Sequence, residues 1–523
     1  MKTFAAIDVG SYELSMKIFE VSKENGLKEI DYIRHRIDLG TDTYATGKIS
    51  YERVDELCRV LREFKLIMAG YQADDYKAYG TSAIRETDNT SIVLDQIEQR
   101  TGIKIEVLSN SEQRFLDYKS IASKGKVFNK IIEKDTAILD IGGGSIQLSL
   151  FIKDSLVTTQ NMRLGVLRLQ DRMSVLNIRP SQYENIIDEI ISSQLSVFKK
   201  LYLDERKIEN IIVVDDYISA VMERSMENKS LNTENESGLN MTDVSDSCIE
   251  VDDINSVFQN IFKKSTAESA RMLGMPQESI PLLYISGVLL NRVVKMMNAR
   301  RIWVPGVTLC DGIAYEYGEK KKIIVAEHDF EQDIIACAQN ISKRYMGSKR
   351  RGETLEKIAL TIFDSMKKVH GLGKRERLLL RIATLLHDCG KYISLMNLGE
   401  CSYNIIMSTE IIGLSHMERE IVANVVKYNH LDFNYYEVIG QDVNLDREAY
   451  LKIAKLTAIL RIANGLDRSH KQKFRDVTAA LKDEQLIITI NTSVDITLEK
   501  GLFYKRADFF EEVFSVKPVI RQE

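Results

Sequence analysis

ILDIGGGSIQLSLF, residues 138–151, sets three glycines between two apolar runs. A glycine carries no Cβ, so a backbone with three in a row can close on something that a side chain would hold away. The flanking runs have the character of buried strands, and the stretch therefore predicts strand, Gly turn, strand. The design occurs once more near the start, where TFAAIDVG precedes a turn and LSMKIFEV follows it. Asp8 and Asp140 hold matching places at the ends of their first strands. In a P-loop or a dinucleotide-binding turn a helix follows the glycines; here a strand does. N–H groups exposed in such turns bind anions, and an aspartate at the strand end can hold Mg²⁺ through water. Ordinary hairpins also favour glycine, but two with the same aspartate placement point to a duplicated phosphate turn.

At 523 residues the chain is too long for one core, and three or four domains are expected. Hydrophobic content of 44% and charged content of 28% describe an ordinary soluble protein. The net charge of −5 argues against general nucleic-acid binding, so no nucleic-acid partner is expected. Four basic clusters stand out: KKK (320–322), SKRRGE (348–353), KRER (374–377) and DRSHKQKFR (467–475). They read as solvated faces or, if several line one channel, as a track for a polyanion whose binding would fall with salt. The start has no apolar stretch of signal-peptide length, and nowhere do 18 apolar residues run together, so no membrane span is expected. Six scattered cysteines without a CxxC suit reduced thiols, a cytoplasmic location and no zinc site. The polar segment 225–252 reads as a loop.

AIDVGS, YGTSAIRETDN (79–89), ILDIGGGS, RLGVLRL (163–169) and VTLCDGIAYEY (307–317) stand in the order and spacing of the Ppx/GppA family. That family comprises exopolyphosphatases and guanosine pentaphosphate phosphohydrolases. The resemblance covers about residues 1–320 and continues into the C-terminal half. It implies an α/β fold of two actin-like (ASKHA, ribonuclease H-like) lobes at 1–125 and 126–318. An all-α HD-like domain at 325–475 and a small α+β domain at 476–523 would follow. It also implies a homodimer and, as ligand, inorganic polyphosphate or a guanosine polyphosphate.

The reaction implied by the resemblance is attack of water on a terminal phosphate, with an anion cradle, Mg²⁺ and a carboxylate base. By the family pattern the cradle is Gly10, Ser11, Ser82, Arg85, Gly142, Gly143, Gly144 and Ser145, and the metal-side aspartate is Asp140, helped by Asp8. Several positions depart from that pattern. In VLSNSEQRFLDY (107–118) Glu112 matches the first glutamate of the family's pair, and the base position falls on Gln113. Gln147 stands where the family keeps a metal-supporting glutamate, and the first loop reads Ser11, Tyr12, Glu13. Asp215 and Asp216 stand where a further Gly-rich phosphate turn is expected, and they would repel a polyanion. A glutamine can orient water without taking its proton, and losing a general base costs about 10²–10⁴ in rate. Two readings therefore stay open: a phosphohydrolase, or a paralogue that binds polyphosphate or an alarmone and acts through partners. The carboxylates around the cleft discriminate. Asp8, Asp140, Glu112 and Glu13 could assemble a Mg²⁺ site if Glu112 points inward.

From about 325 the apolar spacing becomes three and four, in GETLEKIALTIFDSMKKVHGL (352–372) and RERLLLRIATLLHDCGKYISL (375–395). The second carries His387–Asp388, the signature pair of HD-domain metallohydrolases, and Asp467 matches the last carboxylate of that metal set. A histidine is expected upstream near Thr354 and others downstream at Cys401 and Asn429; His416 and His430 are displaced from the pattern. A His–Asp pair alone is too few ligands for the usual site, and it is expected to be empty. The alternating LIITINTSVDITLEKGL (486–502), then helical RADFFEEVFS, predicts the α+β end.

Overall fold

Each Gly-flanked stretch forms a hairpin. β1 (Lys2–Val9) pairs antiparallel with β2 (Glu13–Ser22), and β2 with β3 (Gly26–Arg36). β4 (Asp75–Gly80) lies parallel to β1, and the short β5 (Glu106–Val107) parallel to β4, which gives the order β3-β2-β1-β4-β5. Successive side chains of a strand point to opposite faces. Ala5, Ile7 and Val9 of β1 accordingly join one apolar cluster with Val54, Leu57 and Leu61 of the helix Tyr51–Gly70. Phe4 and Ala6 join another with Ile313 and Tyr317 of the helix Leu309–Lys320. A strand covered on both faces reads as a continuous apolar run, and FAAI does. Phe4 is fully buried and stacks on Tyr317 at 4.0 Å between ring centroids, worth about 1.5–3 kcal/mol in burial.

The second sheet repeats the plan. β6 (Thr136–Ile141), β7 (Ile146–Ile152) and β8 (Ser155–Met162) form the antiparallel meander. β9 (Asn210–Val214) lies parallel to β6. β10 (Ile249–Glu250) forms the edge beside β11 (Arg301–Trp303), and the order is β10-β11-β9-β6-β7-β8. The last pairs before the turns correspond: Asp8 with Ser15 and Val9 with Leu14, Asp140 with Gln147 and Ile141 with Ile146. Gly10 N–H donates to Glu13 O at 3.0 Å and Gly142 N–H to Ser145 O at 2.9 Å, closing two turns of the same length. The helix Ile280–Met297 is the core of this lobe. Among the described residues, 277–297 is the one helical stretch long and apolar enough to cross a membrane, and two thirds of it is buried in the fold.

The computed structural model describes residues 1–176, 182–203, 206–231, 248–435, 445–471, 473–474 and 477–522, without the side chains of 223 and 225–231. They form two compact units, Met1–Phe330 and Glu331–Glu523. Of the loop expected at 225–252, the first part belongs to the helix Asp216–Leu231, and 232–247 lie outside the described residues.

The second unit is built on helices Lys349–Ser365, Lys374–Leu386, Leu398–Ser408, His416–Tyr428 and Arg447–Leu466. Leu355, Ile358 and Ile362 mark the buried stripe of the first, at helical spacing. The helix expected to continue through the His–Asp pair stops at Leu386. A three-stranded sheet follows, β12 (Val477–Lys482), β13 (Gln485–Ile490) and β14 (Lys517–Gln522) in that order. β13 and β14 are parallel and so need a crossover, which the helix Thr497–Phe514 provides. The alternation expected to run through 502 therefore ends at Ile490. Asp495 accepts hydrogen bonds from the N–H (3.0 Å) and hydroxyl (2.6 Å) of Thr497, starting a helix where the pattern suggested a strand. The six cysteines are all thiols without a disulfide.

Candidate functional site

A cavity of about 710 Å³ in the first unit is lined from both turns: Asp8, Gly10 and Ser11 from one, Asp140 and Gly142 through Ser145 from the other. Ser82 and Gln113 also line it. The hydroxyls of Ser11, Ser82 and Tyr44 form a closed triangle at 2.8–2.9 Å, tying the first turn to the helix Ser82–Glu86. The second turn is held from behind. Val166 N–H donates to Gly142 O (3.1 Å), Leu167 N–H to Gly143 O (3.0 Å), and Arg168 Nε to Gly144 O (2.7 Å). Its carbonyls are engaged, so the groups this turn can offer the cavity are N–H groups, which suit an anion. RLGVLRL thus has a physical role. Its helix start takes the carbonyls, and Arg168, which also pairs with Glu86 and lies 4.1 Å over the Tyr44 ring, locks the arrangement.

Other expected site residues stand elsewhere. Glu112 does not line the cavity; it completes a capping box on the helix Asn110–Ala122, its carboxylate accepting from Ser109 N–H at 3.0 Å. The inward-pointing Glu112 that a repaired metal site would need is therefore absent, because the helix start already uses the side chain. Glu112→Ala is expected to lower stability by about 0.3–1 kcal/mol and to leave phosphate release unchanged, which denaturant titration and a phosphate assay check together. Arg85 is also off the cavity wall: its guanidinium donates to Leu108 O at 2.7 Å and to Gln113 Oε1 at 3.3 Å. It positions Gln113 instead. Gln147 is buried within the second sheet, its Nε2 donating to Ser149 Oγ at 3.1 Å and to Thr159. Its Oε1 has no hydrogen-bond partner, and the residue does not line the cavity. Asp215 and Asp216, by contrast, do line the cavity; Asp215 also caps the helix it precedes, accepting from Ile218 N–H at 2.6 Å and from the Ser286 hydroxyl at 2.9 Å. Burial nevertheless pushes it up to about 7.

The sequence reading did not single out Arg114 or Asp117. Arg114 is buried and reaches Asp140 Oδ2 at 3.4 Å, Ser145 Oγ at 3.2 Å and Asn161 Oδ1 at 2.6 Å. Asp117 follows Gln113 by four residues on the same helix, which places the two on one face, and both line the cavity. The i, i+4 spacing was the available signal. Burial, and then the charge of Asp140, raise Asp117 well above the usual carboxylate range. Burial followed by Asp216 and Glu13 pushes Asp8 up to about 8, and burial with Asp216 pushes Glu13 up to about 7.

Among the described residues no three carboxylate, thiol or imidazole groups converge as a ready metal set. The buried Asp8 Oδ1 has no hydrogen-bond partner, and the acidic side chains raise one another. Both features fit a hard divalent cation held partly through water.

In the second unit His387, Asp388 and Asp467 are brought together, with Arg351 among them: its Nη1 lies 3.8 Å from Asp388 Oδ2 and its Nε 3.7 Å from Asp467 Oδ2. Thr354, the expected histidine position, instead bonds back to Arg350 O at 3.0 Å. His416 is largely exposed, and His430 Nε2 donates to His387 O at 2.7 Å.

Residues 18–321 match the model of the Ppx/GppA phosphatase family, and 335–505 match that of the Ppx/GppA phosphatase domain III. The chain is 26% identical over 168 residues to exopolyphosphatase 1 of Mycobacterium leprae, a match covering 31% of this chain and 47% of that one. It is 19% identical over 465 residues to a guanosine-5'-triphosphate,3'-diphosphate pyrophosphatase of Aeromonas hydrophila, covering 88% and 86% of the two. The curated exopolyphosphatases are thus matched over less than half their length. The crystal structure of an exopolyphosphatase from Cytophaga hutchinsonii superposes with a TM-score of 0.50 at 18% identity, covering 62% of this chain and all of that one. That likeness shows the shared fold, two actin-like lobes with mixed sheets. With more than half of its length matched by one family model and the paired Gly turns facing one cavity, the chain belongs to the Ppx/GppA phosphatase family.

Proposed function

We propose that the first unit binds the phosphate chain of inorganic polyphosphate, or the 5'-triphosphate of a guanosine polyphosphate, and hydrolyses its terminal phosphoanhydride. The observation that carries this is the convergence of both glycine turns, with Ser11 and Ser82, on one carboxylate-lined cavity. Ser145 and the N–H groups of residues 143–145 hold the terminal phosphate. Asp8 and Asp140 are the side chains that would hold Mg²⁺, which when bound would neutralise charge on the oxygens of the phosphorus under attack. Gln113, anchored by Arg85, orients the water. Asp117, one turn further along the same face, takes its proton. This moves the base by four residues relative to the family position and accounts for a glutamine there.

The binding-only reading has one specific observation in its favour. The Arg114 guanidinium lies on both Asp140 and Ser145 and supplies the cleft with a resident cation of its own. Phosphate release from long-chain polyphosphate and from guanosine pentaphosphate with Mg²⁺ separates the two. Turnover by the native chain is expected, with Gln113→Glu within about tenfold of it. A native chain that binds polyphosphate without turnover, and a Gln113→Glu variant that gains turnover by about 10²–10⁴, would establish the binder instead.

A further inference from the structure

The HD-like pattern expects a metal ion among His387, Asp388 and Asp467, and the side chains around that point do not fit one. Arg351 fills it. Its side chain is 5% exposed, and Nη2 donates to Asn464 Oδ1 at 2.8 Å while Nη1 and Nε face the two carboxylates. Lys391 Nζ adds a second positive charge 3.1 Å from Asp388 Oδ2. The two buried carboxylates thus face side-chain cations, with Arg468 also close by.

His387 keeps the form of a ligand. His387 Nδ1 bonds Thr384 O at 2.7 Å, which fixes the proton on that nitrogen and leaves Nε2 as the lone-pair atom. Nε2 is buried, has no hydrogen-bond partner and lies 3.7 Å from Asp388 Oδ2. An arrangement of this kind is what a metal-ligating histidine needs. Helix geometry explains why the sequence spacing misplaces the missing partner. Residues three apart share a helix face, and Arg351 faces the site one turn before Thr354.

We propose that the Arg351 guanidinium is the resident cation of this HD-like site, standing where a divalent metal would, so that the second unit is folded and charge-balanced without metal. The site is one substitution from a metal centre. Arg351→His removes the occupying charge and sets a second imidazole beside His387 Nε2, Asp388 and Asp467, a nitrogen and carboxylate set suited to Mn²⁺ or Zn²⁺. The proposal is independent of the reaction in the first unit.

The test uses the full chain, native and variant, equilibrated with Mn²⁺ or Zn²⁺, dialysed, and assayed for metal by mass spectrometry. Arg351→His is expected to hold about one equivalent more than the native chain, and His387→Ala in that background to remove it. In the native background His387→Ala is expected to leave metal content unchanged. Arg351→Met removes the cation facing Asp467 and one of the two facing Asp388, and is expected to lower the melting temperature of the second unit by at least about 6 °C, with Arg351→Lys recovering part of the loss. A native chain that loses metal on His387→Ala overturns the proposal. So does a folded Arg351→His that gains no metal, or an Arg351→Met that melts with the native chain.

Discussion

Asp117→Asn is expected to lower kcat for phosphate release by about 10²–10⁴ with KM changed little. The substitution keeps the shape of the side chain and the helix Asn110–Ala122, and removes only the ability to accept a proton. The expectation follows from elimination within the cavity. Glu112 is committed to the capping box, Gln113 carries no charge, and Asp140 is engaged by Arg114. Asp8 and Glu13 lie at the other turn, Asp215 is engaged by Ile218 N–H and Ser286 and Asp216 opens the following helix, whereas Asp117 shares its helix face with the water-orienting Gln113. Burial and then the neighbouring Asp140 raise it above the usual carboxylate range. Steady-state kinetics with long-chain polyphosphate check the effect. A variant within about tenfold of native in kcat would remove Asp117 from the reaction, and a rise in KM alone would make it a binding residue.

Gly165→Ala is expected to cost about 1–3 kcal/mol in stability and about 10² in phosphate release. Gly165 has φ −67° and ψ 157°, which any residue adopts, so the objection is steric alone. An added Cβ would lie 2.3 Å from Gly143 O, Gly144 C and Ser145 N, all backbone atoms of the phosphate turn. No rotamer change relieves such a contact, and the turn itself must shift. A misplacement of about 1 Å in a site of this kind costs about two orders of magnitude. Denaturant titration and polyphosphate turnover measure the two effects. A variant with native turnover would mean that the turn tolerates displacement and does not position the reacting phosphate.

The hairpins, their Gly turns and the two-lobed fold were legible because they rest on local signals. Strand alternation, glycine in a tight turn and an aspartate at a strand end are readable in stretches of about ten residues, and the register Asp8–Ser15 against Asp140–Gln147 repeats what the text suggested. The limits of local signals appear at 497–502. There Asp495, just ahead of the helix Thr497–Phe514, takes the N–H and the hydroxyl of Thr497, a side-chain-to-backbone contact that the alternating pattern does not register. Arg85 shows a different limit. Its motif places it near phosphate, but its Nη1 is turned to Leu108 O and Gln113 Oε1 and it does not line the cavity.

Read alone, the chain thus specifies its family, its duplicated sheets and the turns that face the cavity, since each is encoded within a few consecutive residues. Which charged groups meet is decided only in three dimensions. A single helical position turns a side chain by about 100°, enough to send Glu112 to a helix cap while Gln113 and Asp117 face the cavity. Arg351 and Asn464 are 113 residues apart in the chain and 2.8 Å apart in the fold. No periodicity carries that information, because the contact joins residues far apart in the chain.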